Sequence, residues 1–545
     1  MSSLPNKKKK SLRAISLIKE KRDGSLKGRT CADGRKQRKL YEKADTTSPT
    51  ISNDALMLSI LVDAHEGRDV ATADVAGAFL KADMDDFVLL RFEGQEVDIL
   101  CELNPSHKDH VIIENGKKAL YVQLLKALYG CVRSSLLWYI LFSGTLKEHG
   151  FDLNPYDPCI ANKMIKGKQC TIAWYVDDTK ISHIDPAVVT SIIKLLENSF
   201  DKMTITRGRN HTFLGLDITF TDQGTAEINM RKYLQDAIVN SEFGIMKTVT
   251  TPAKPNLFVA NESSPKLSPR NADRFHSTVA TLLYASMRAR MDILLPVIYL
   301  CTRVSKCTVE DQDKLRRVLE YLNGTLDLVY TLGTDSLNNI VLRTWVDASF
   351  AVHPDMRSHT GAVSSLGTGG IMCRSSKQKL NSKSSTESEI IGASDYLPNA
   401  VWIKNFLEAQ GYVVSTNILE QEKESAIKIE KNGRASASNR SRHIDIRYFF
   451  TKDQLRRENI KVRHCPTTVM LADFFTKPLQ GNLFRKFRDV ILGYKHVDSL
   501  SATKPSGPEE RVGKDRSVER PSAVGKSTSM KESWASVVAH GHLEQ

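Results

Sequence analysis

Cys170 to Ile184 reads CTIAWYVDDTKISHI, and no other stretch constrains the architecture as tightly. Two short runs rich in β-formers flank the polar pair Asp177-Asp178, which is the pattern of a hairpin with acids at its tip. A tight turn can aim one or both carboxylates into a cleft, although an Asp pair alone is equally a turn cap. A further acid comes from upstream. In DVATADVAGAF, Asp69 to Phe79, the pattern is strand-like from Val70 to Val75, with Asp74 at its end. The small residues Ala76, Gly77 and Ala78 that follow let a substrate approach the backbone closely. About three carboxylates in one place suit two hard divalent cations held ~3.5–4 Å apart across an in-line phosphoryl displacement.

The chain around this stretch has 545 residues, enough for three or four domains at roughly 150 residues each. With 41% hydrophobic and 26% charged residues it is globular, neither wholly disordered nor fibrous. The formal net charge of +14 points to a polyanionic partner. That charge is uneven: Met1 to Ser48 holds 15 Lys/Arg against 5 Asp/Glu, a net of +10. Nine cysteines without a CxxC pair indicate neither a zinc ribbon nor a disulfide framework, and they fit a reducing, intracellular setting. The longest apolar run, Ile293 to Cys301, contains Pro296 and is about half of the ~20 residues a membrane span needs. Lys7 to Lys10 reads either as a nuclear-import signal or as a solvated tail.

The element order is α+β. A basic, turn-rich opening contains a hairpin at Asp23 to Arg29. Helical spacing follows in ALMLSILVDAHEG, ending at Gly67, and LLKALYGCVRSSLLWYILFSGTLKEHG is a turn feeding a long helix that ends at Gly150. A helix from about Pro186 to Phe200 and a strand pair in HTFLGLDITFTDQGTAEINM come next. Thr250 to Ser268, rich in Pro, Asn and Ser, is a linker. Helices from Asp273 to Thr302 and from Thr308 to Gly324 lead to a second α/β pattern from Ile340. It comprises strands near VLRTWVDASF, GAVSSLG and GIMCRSSKQ, a helix from Thr386 to Gly411, a strand from Thr416 to Glu420 and a helical end through Phe487. The Ser-, Gly- and Lys-rich remainder lacks periodicity and is expected to be disordered.

Four boxes in order, TADVAGAFL, LLKALYGCVRSSLLWY, WYVDDTKIS and FLGLDITF, resemble the reverse transcriptase domain of copia-like LTR retrotransposons. The resemblance implies a palm, fingers and thumb, with Asp74, Asp177 and Asp178 as metal-binding carboxylates. Phe79 takes the place of an aromatic steric gate under the sugar, and Gly130 and Arg133 lie in the box that lines template and nucleotide. Lys27 and Arg29 fall on the fingers hairpin, where cations would neutralise the triphosphate. Arg133 and Ser135 stand where the family has Gln and Pro, and a Trp-containing strand usual before the hairpin is absent.

A second acidic set follows: Asp347 in TWVDASF, Glu389 in SSTESEIIGAS, Glu422 after a strand, and Asp473 in MLADFFTKPL at the start of a late helix. With MRSHTGAV, EKESAI and HIDIRYFF, these boxes resemble the RNase H domain that follows the polymerase in the same family. The implied metal ligands are Asp347, Glu389, Glu422 and Asp473, with Glu387 an open alternative to Glu389. His443 and Arg447 would support the helix or contact the hybrid backbone. Glu422-Lys423 replaces the family's Asp-Asn, and reduced ribonuclease activity is expected from the longer arm and the added cation.

The resemblance therefore implies an RNA-directed DNA polymerase with a ribonuclease H activity. It would use two Mg²⁺ ions per site, or Mn²⁺, on an RNA template, DNA primer, RNA–DNA hybrid and deoxynucleoside triphosphates, in a cytoplasmic particle or the nucleus. No membrane is implied, and the oligomeric state stays open. The expected layout is a basic leader and partial fingers (1–48), palm and fingers (49–249), linker and thumb or connection helices (250–339), an RNase H-like unit (340–495) and a disordered tail (496–545). No protease box or HHCC integrase site is found, so the chain reads as a portion of a polyprotein. The alternative is a truncated, catalytically degenerate remnant that only binds nucleic acid.

Overall fold

The computed structural model describes residues 11–20, 24, 26–261, 263–432 and 445–500. Lys7 to Lys10, His443 and the expected tail beyond residue 500 lie outside them, as do the side chains of Lys27 and Arg447. The basic opening forms a hairpin of β1 (Leu12–Glu20) and β2 (Leu26–Ala32). It is not isolated: β1 runs parallel to Leu89–Glu93 and so joins a five-stranded sheet, with Arg13, Lys19 and Arg29 exposed.

The next layer places the first acids. Helix α1 (Asn53–His65), capped by Ser52, packs under a six-stranded sheet containing β3 (Asp69–Asp74), β4 (Lys168–Tyr175), β5 (Asp178–His183) and β6 (Thr204–Arg207). β3 lies between β6 and β5, and both pairings are antiparallel. Helix α2 (Ser134–Glu148) and helix α3 (Pro186–Phe200) cover the sheet. In α3, Asp185 caps the first turn by accepting from the Ala187 N–H, Pro186 occupies the first helical position, and Val188, Val189, Ile192, Ile193, Leu196 and Phe200 form the buried stripe.

Two expectations change downstream. The helix expected from Asp273 to Thr302 is split into Pro269–Ser286 and Leu294–Cys301. Between them Arg290 is buried, bonded to Asp292 at 2.7 and 2.9 Å and to the Thr325 carbonyl, and this polar knot cannot be threaded by a continuous helix. Residues 496–500, expected to belong to the tail, are instead ordered, with Val497 and Leu500 buried in a 3₁₀ turn. The described residues of the linker do lack helix and strand, yet Phe258 packs against His353 and His359, so it is seated on the C-terminal unit.

That unit is built on a five-stranded sheet in which β7 (Ile340–Ser349) is central. On one side lie β8 (His359–Ser365), antiparallel to β7, and β9 (Met372–Lys377), antiparallel to β8. On the other lie β10 (Val414–Gln421) and β11 (Ile460–His464), both parallel. Helix α4 (Ser385–Glu408) packs across β7.

The two halves are tied by polar contacts at the end of α4. Asn154 and Gln169 donate to the Phe406 and Gln410 carbonyls at 3.2 and 2.6 Å, satisfying groups that a helix C-terminus leaves unpaired. Tyr412 donates to Glu66 and accepts from Arg68, which lies 3.6 Å from buried Asp63. Asp63 also takes the ammonium of fully buried Lys180 on β5. Burial pushes the Lys180 pKa down, and the charge of Asp63 opposes it. Removing one partner of a buried pair leaves an uncompensated charge. Lys180→Met is therefore expected to lower the unfolding free energy in a urea titration by about 3–5 kcal/mol. Lys180→Met combined with Asp63→Leu should recover most of that loss.

Candidate active sites

Register builds the first acid group. Asp178 is the cross-strand partner of Asp74, and it pairs on its other side with Tyr175, so the connection is the two-residue turn Val176-Asp177. Only Asp177 is thus at the tip, while Asp178 belongs to the strand. The Val75 N–H donates to the Asp177 carbonyl at 3.3 Å, which closes the turn over the end of β3. Val176 has φ +58°, a left-handed conformation that a β-branched side chain adopts only when the surroundings impose it. Trp138 of α2 supplies part of that constraint by donating its indole N–H to the Val176 carbonyl at 2.6 Å.

The carboxylates repel one another. The Asp178 pKa is pushed up to about 6, first by burial and then by the charges of Asp177 and Asp74. Beside them are a pair of rings and a cation: Phe79 packs on Tyr129 with centroids 4.4 Å apart, the Tyr129 phenol feels the charge of Asp177, and the Arg29 guanidinium lies 5.7 Å from the Tyr129 ring centre. Arg29, on β2 of the five-stranded sheet, thus lies beside the Tyr129 ring. The other two residues of the box are engaged elsewhere. Gly130 has φ +92°, and a Cβ there would fall 2.0 Å from the Ala32 carbonyl oxygen, so it lets two backbones meet. Arg133 is held by Asp85 at 2.6 Å and covers the Tyr41 ring.

The second acid group is tighter. Asp347 is buried on β7 opposite Gly361. A Cβ on Gly361 would lie 2.7 Å from Phe475, so only glycine admits the 3₁₀ turn Leu471–Phe475 that carries Asp473; this turn replaces the helix start expected there. On the parallel side the ladder ends at Trp345 with Glu420, and two residues further on Glu422 draws level with Asp347. Asp347, Glu422 and Asp473 offer ligand oxygens within 4.8 Å of one another, the one such acidic group among the described residues. The first group is thus less closely drawn together than the second.

Helix α4 gives the two candidate glutamates different partners. Both are buried, but Glu387 accepts from the Lys383 N–H at 2.7 Å and so closes the helix start, whereas Glu389 feels the charge of Asp347 and has an Oε2 atom without a hydrogen-bond partner. Burial, then Asp347, pushes Glu389 well above the carboxylate range, and the same causes push Asp473 up to about 7. Lys423 donates to Ser385, and Lys477 contacts Asp473 at 2.7 Å. These observations fit divalent cations: the donors are hard oxygens, and a buried carboxylate oxygen is left unsatisfied.

Sequence reading placed these acids but not Trp138, Tyr129 or Lys477. All three lie inside the quoted boxes, which was the available signal, but no spacing says that they turn toward the acids.

With this geometry in view, residues 3–255 match the family described as reverse transcriptase (RNA-dependent DNA polymerase). The chain is 26% identical over 501 residues to the "Retrovirus-related Pol polyprotein from transposon TNT 1-94" of Nicotiana tabacum, covering 89% of this chain and 36% of that protein. The chain carries a reverse transcriptase domain of the copia-like retrotransposon type. It is likewise 27% identical over 475 residues to the Pol polyprotein from transposon RE1 of Arabidopsis thaliana, covering 86% of this chain and 31% of the relative. It thus spans about a third of the length of these curated relatives. The crystal structure of prototype foamy virus protease-reverse transcriptase aligns with 15% identity over 86% of this chain and 52% of that one, at a TM-score of 0.24. No helix among the described residues is long and apolar enough to cross a membrane.

Glu430, fully buried near Glu389, has its pKa pushed from 4.5 to about 7 by burial, with a hydrogen bond from Gln421 opposing. The protonated form is the one the fold favours, so this stability is complete below about pH 4.5 and is lost as pH rises through about 7. Glu430→Gln is expected to match the parent in thermal unfolding at pH 4.5. At pH 8 it should be more stable, by roughly 3 kcal/mol.

Proposed function

We propose that this reverse transcriptase domain is a working RNA-directed DNA polymerase, with Asp74, Asp177 and Asp178 as its metal-binding carboxylates. The observation that carries the reading is the pairing of Asp178 with Asp74 beside a turn that presents Asp177. Three acids whose charges raise the pKa of one of them need a cation there. Bound Mg²⁺ or Mn²⁺ would supply activation of the primer 3′-hydroxyl and charge neutralisation on the leaving pyrophosphate.

The chain's own residues do the rest. Arg29 is placed to bind triphosphate oxygens of a deoxynucleotide, with Lys27 on the same strand as its companion. Phe79, stiffened by Tyr129, forms a floor under the sugar that excludes a ribose 2′-hydroxyl. Trp138 holds the turn so that Asp177 does not have to be ordered at each cycle. Gly130 and Arg133 act on template and nucleotide through the frame they build, Gly130 where its backbone meets Ala32 and Arg133 through Asp85 and Tyr41. The exposed cations of the β1–β2 hairpin track the phosphates of template and primer without reading sequence.

The C-terminal unit is proposed as RNase H-like, a second metal-dependent site that cuts the RNA strand of the hybrid product. Asp347, Glu422, Asp473 and Glu389 are its acids. Glu422 supports this reading despite its extra methylene, since its carboxylate remains within the group. Intracellular particles or the nucleus would be its setting.

Primer extension on an RNA template with deoxynucleotides and Mg²⁺ tests the first site. The parent chain extends, and Asp177→Asn falls by at least about 10³-fold with unchanged hybrid binding. Absence of extension by folded parent chain sinks the polymerase reading and favours a degenerate copy. Asp473→Asn should abolish cutting of a labelled hybrid while sparing extension.

A further inference from the structure

The C-terminal acid group already has a cation among its own side chains. Lys477 Nζ lies 2.7 Å from an Asp473 oxygen, 3.8 Å from Asp347 and 4.0 Å from Glu422, which places it against all three members of the group. Uncharged donors occupy one oxygen on each of two acids: Thr476 donates to Asp347 and Thr467 to Glu422. They bring hydrogen bonds but no compensating charge. The neighbouring Lys423 is turned to Ser385. Among the described residues Lys477 is therefore the cation that contacts all three acids, set against Asp347 and Asp473, each only 2% exposed.

The backbone fixes its approach. The Lys477 N–H donates to the Asp473 carbonyl at 2.8 Å, so the lysine and Asp473 sit on one tight turn, and Pro478 follows. The side chain enters from the outside, being 39% exposed, and it forms part of the wall of a cavity of about 550 Å³ with Ser349, His353, Pro354, Met356 and Thr476. The ammonium thus has somewhere to go when it leaves the acids.

Resting on the reading of this group as a divalent-ion site, we propose that Lys477 is its resident counter-ion. The ammonium holds the carboxylates together in the metal-free protein, competes with the incoming cation, and withdraws into the adjoining cavity when that cation binds. Lys477 is on this account a positioning residue that sets the concentration of divalent ion at which the site fills. An ammonium within about 4 Å of a divalent ion repels it strongly enough to change affinity by about tenfold or more, even under extensive solvent screening.

The test uses the full chain in an Asp177→Asn background, so that the N-terminal acids do not dominate the signal. Mn²⁺ binding is followed by calorimetry, and thermal unfolding is recorded in chelator and in saturating Mn²⁺. Lys477→Met is expected to bind Mn²⁺ about tenfold more tightly than its parent, to melt lower in chelator, and to recover in Mn²⁺. Lys477→Gln, which keeps a donor for Asp473, guards against a variant that fails to fold and should show the same tightening, while Lys477→Arg should bind as the parent does. Unchanged or weaker Mn²⁺ binding in both neutral variants, with binding still lost in Asp473→Asn, overturns the role of Lys477 and leaves the metal site standing. No Mn²⁺ binding that depends on Asp473 in any variant overturns both.

Discussion

A carboxylate that never reaches solvent organises this molecule. Asp63, on the inner face of the first helix, takes Lys180 from the strand that carries Asp178 and lies beside Arg68, whose guanidinium continues to Tyr412 past the end of α4. A buried charge of this kind is costly unless it is fully answered, so each partner is obliged to be where it is. The strand bearing Asp178 is thereby pinned to the helix beneath it. The same cluster reaches, through one phenolic hydroxyl, the unit that bears the second acids. Such an arrangement adds little net stability compared with an apolar core. Its consequence is specificity of placement, which the proposed phosphoryl transfer needs.

The two acid groups meet the same electrostatic problem differently. In the first, the acids sit at the ends of adjoining strands and are partly open, and their mutual repulsion appears as a raised Asp178 pKa. In the second, burial is deeper, Glu389 has an oxygen without a partner, and Lys477 stands among the carboxylates. The open group suits a site that must admit a nucleotide and a primer end at every cycle. The closed group suits one that waits for a helix backbone to be drawn past it.

Much of this was legible in the residues. The strand–turn–strand pattern of CTIAWYVDDTKISHI gives the hairpin, and the order of boxes gives the acids, because alternation and turn residues are local signals. What was not legible is long-range or depends on packing. Nothing local says what either glutamate meets: Glu387 is taken by the Lys383 N–H, while Glu389 meets the charge of Asp347. Gly130 reads as part of a template box, but its role comes from the Ala32 carbonyl approaching from another sheet. The break at Arg290 was hidden because a buried Arg–Asp knot looks like ordinary helix sequence. Lys180 and Asp63 are 117 positions apart, and no periodicity links them.

If the palm acids build DNA and the C-terminal acids cut the template that has just been copied, one reaction should show both. The direct measurement follows a DNA primer and an end-labelled RNA template together, with the primer stopped at successive positions by withholding one deoxynucleotide at a time. RNA cuts that trail the primer terminus at a constant spacing, moving with it as it advances, are the predicted result. Cuts whose positions depend on the RNA ends and ignore the primer terminus, or DNA synthesis with no trailing cuts, would contradict the account.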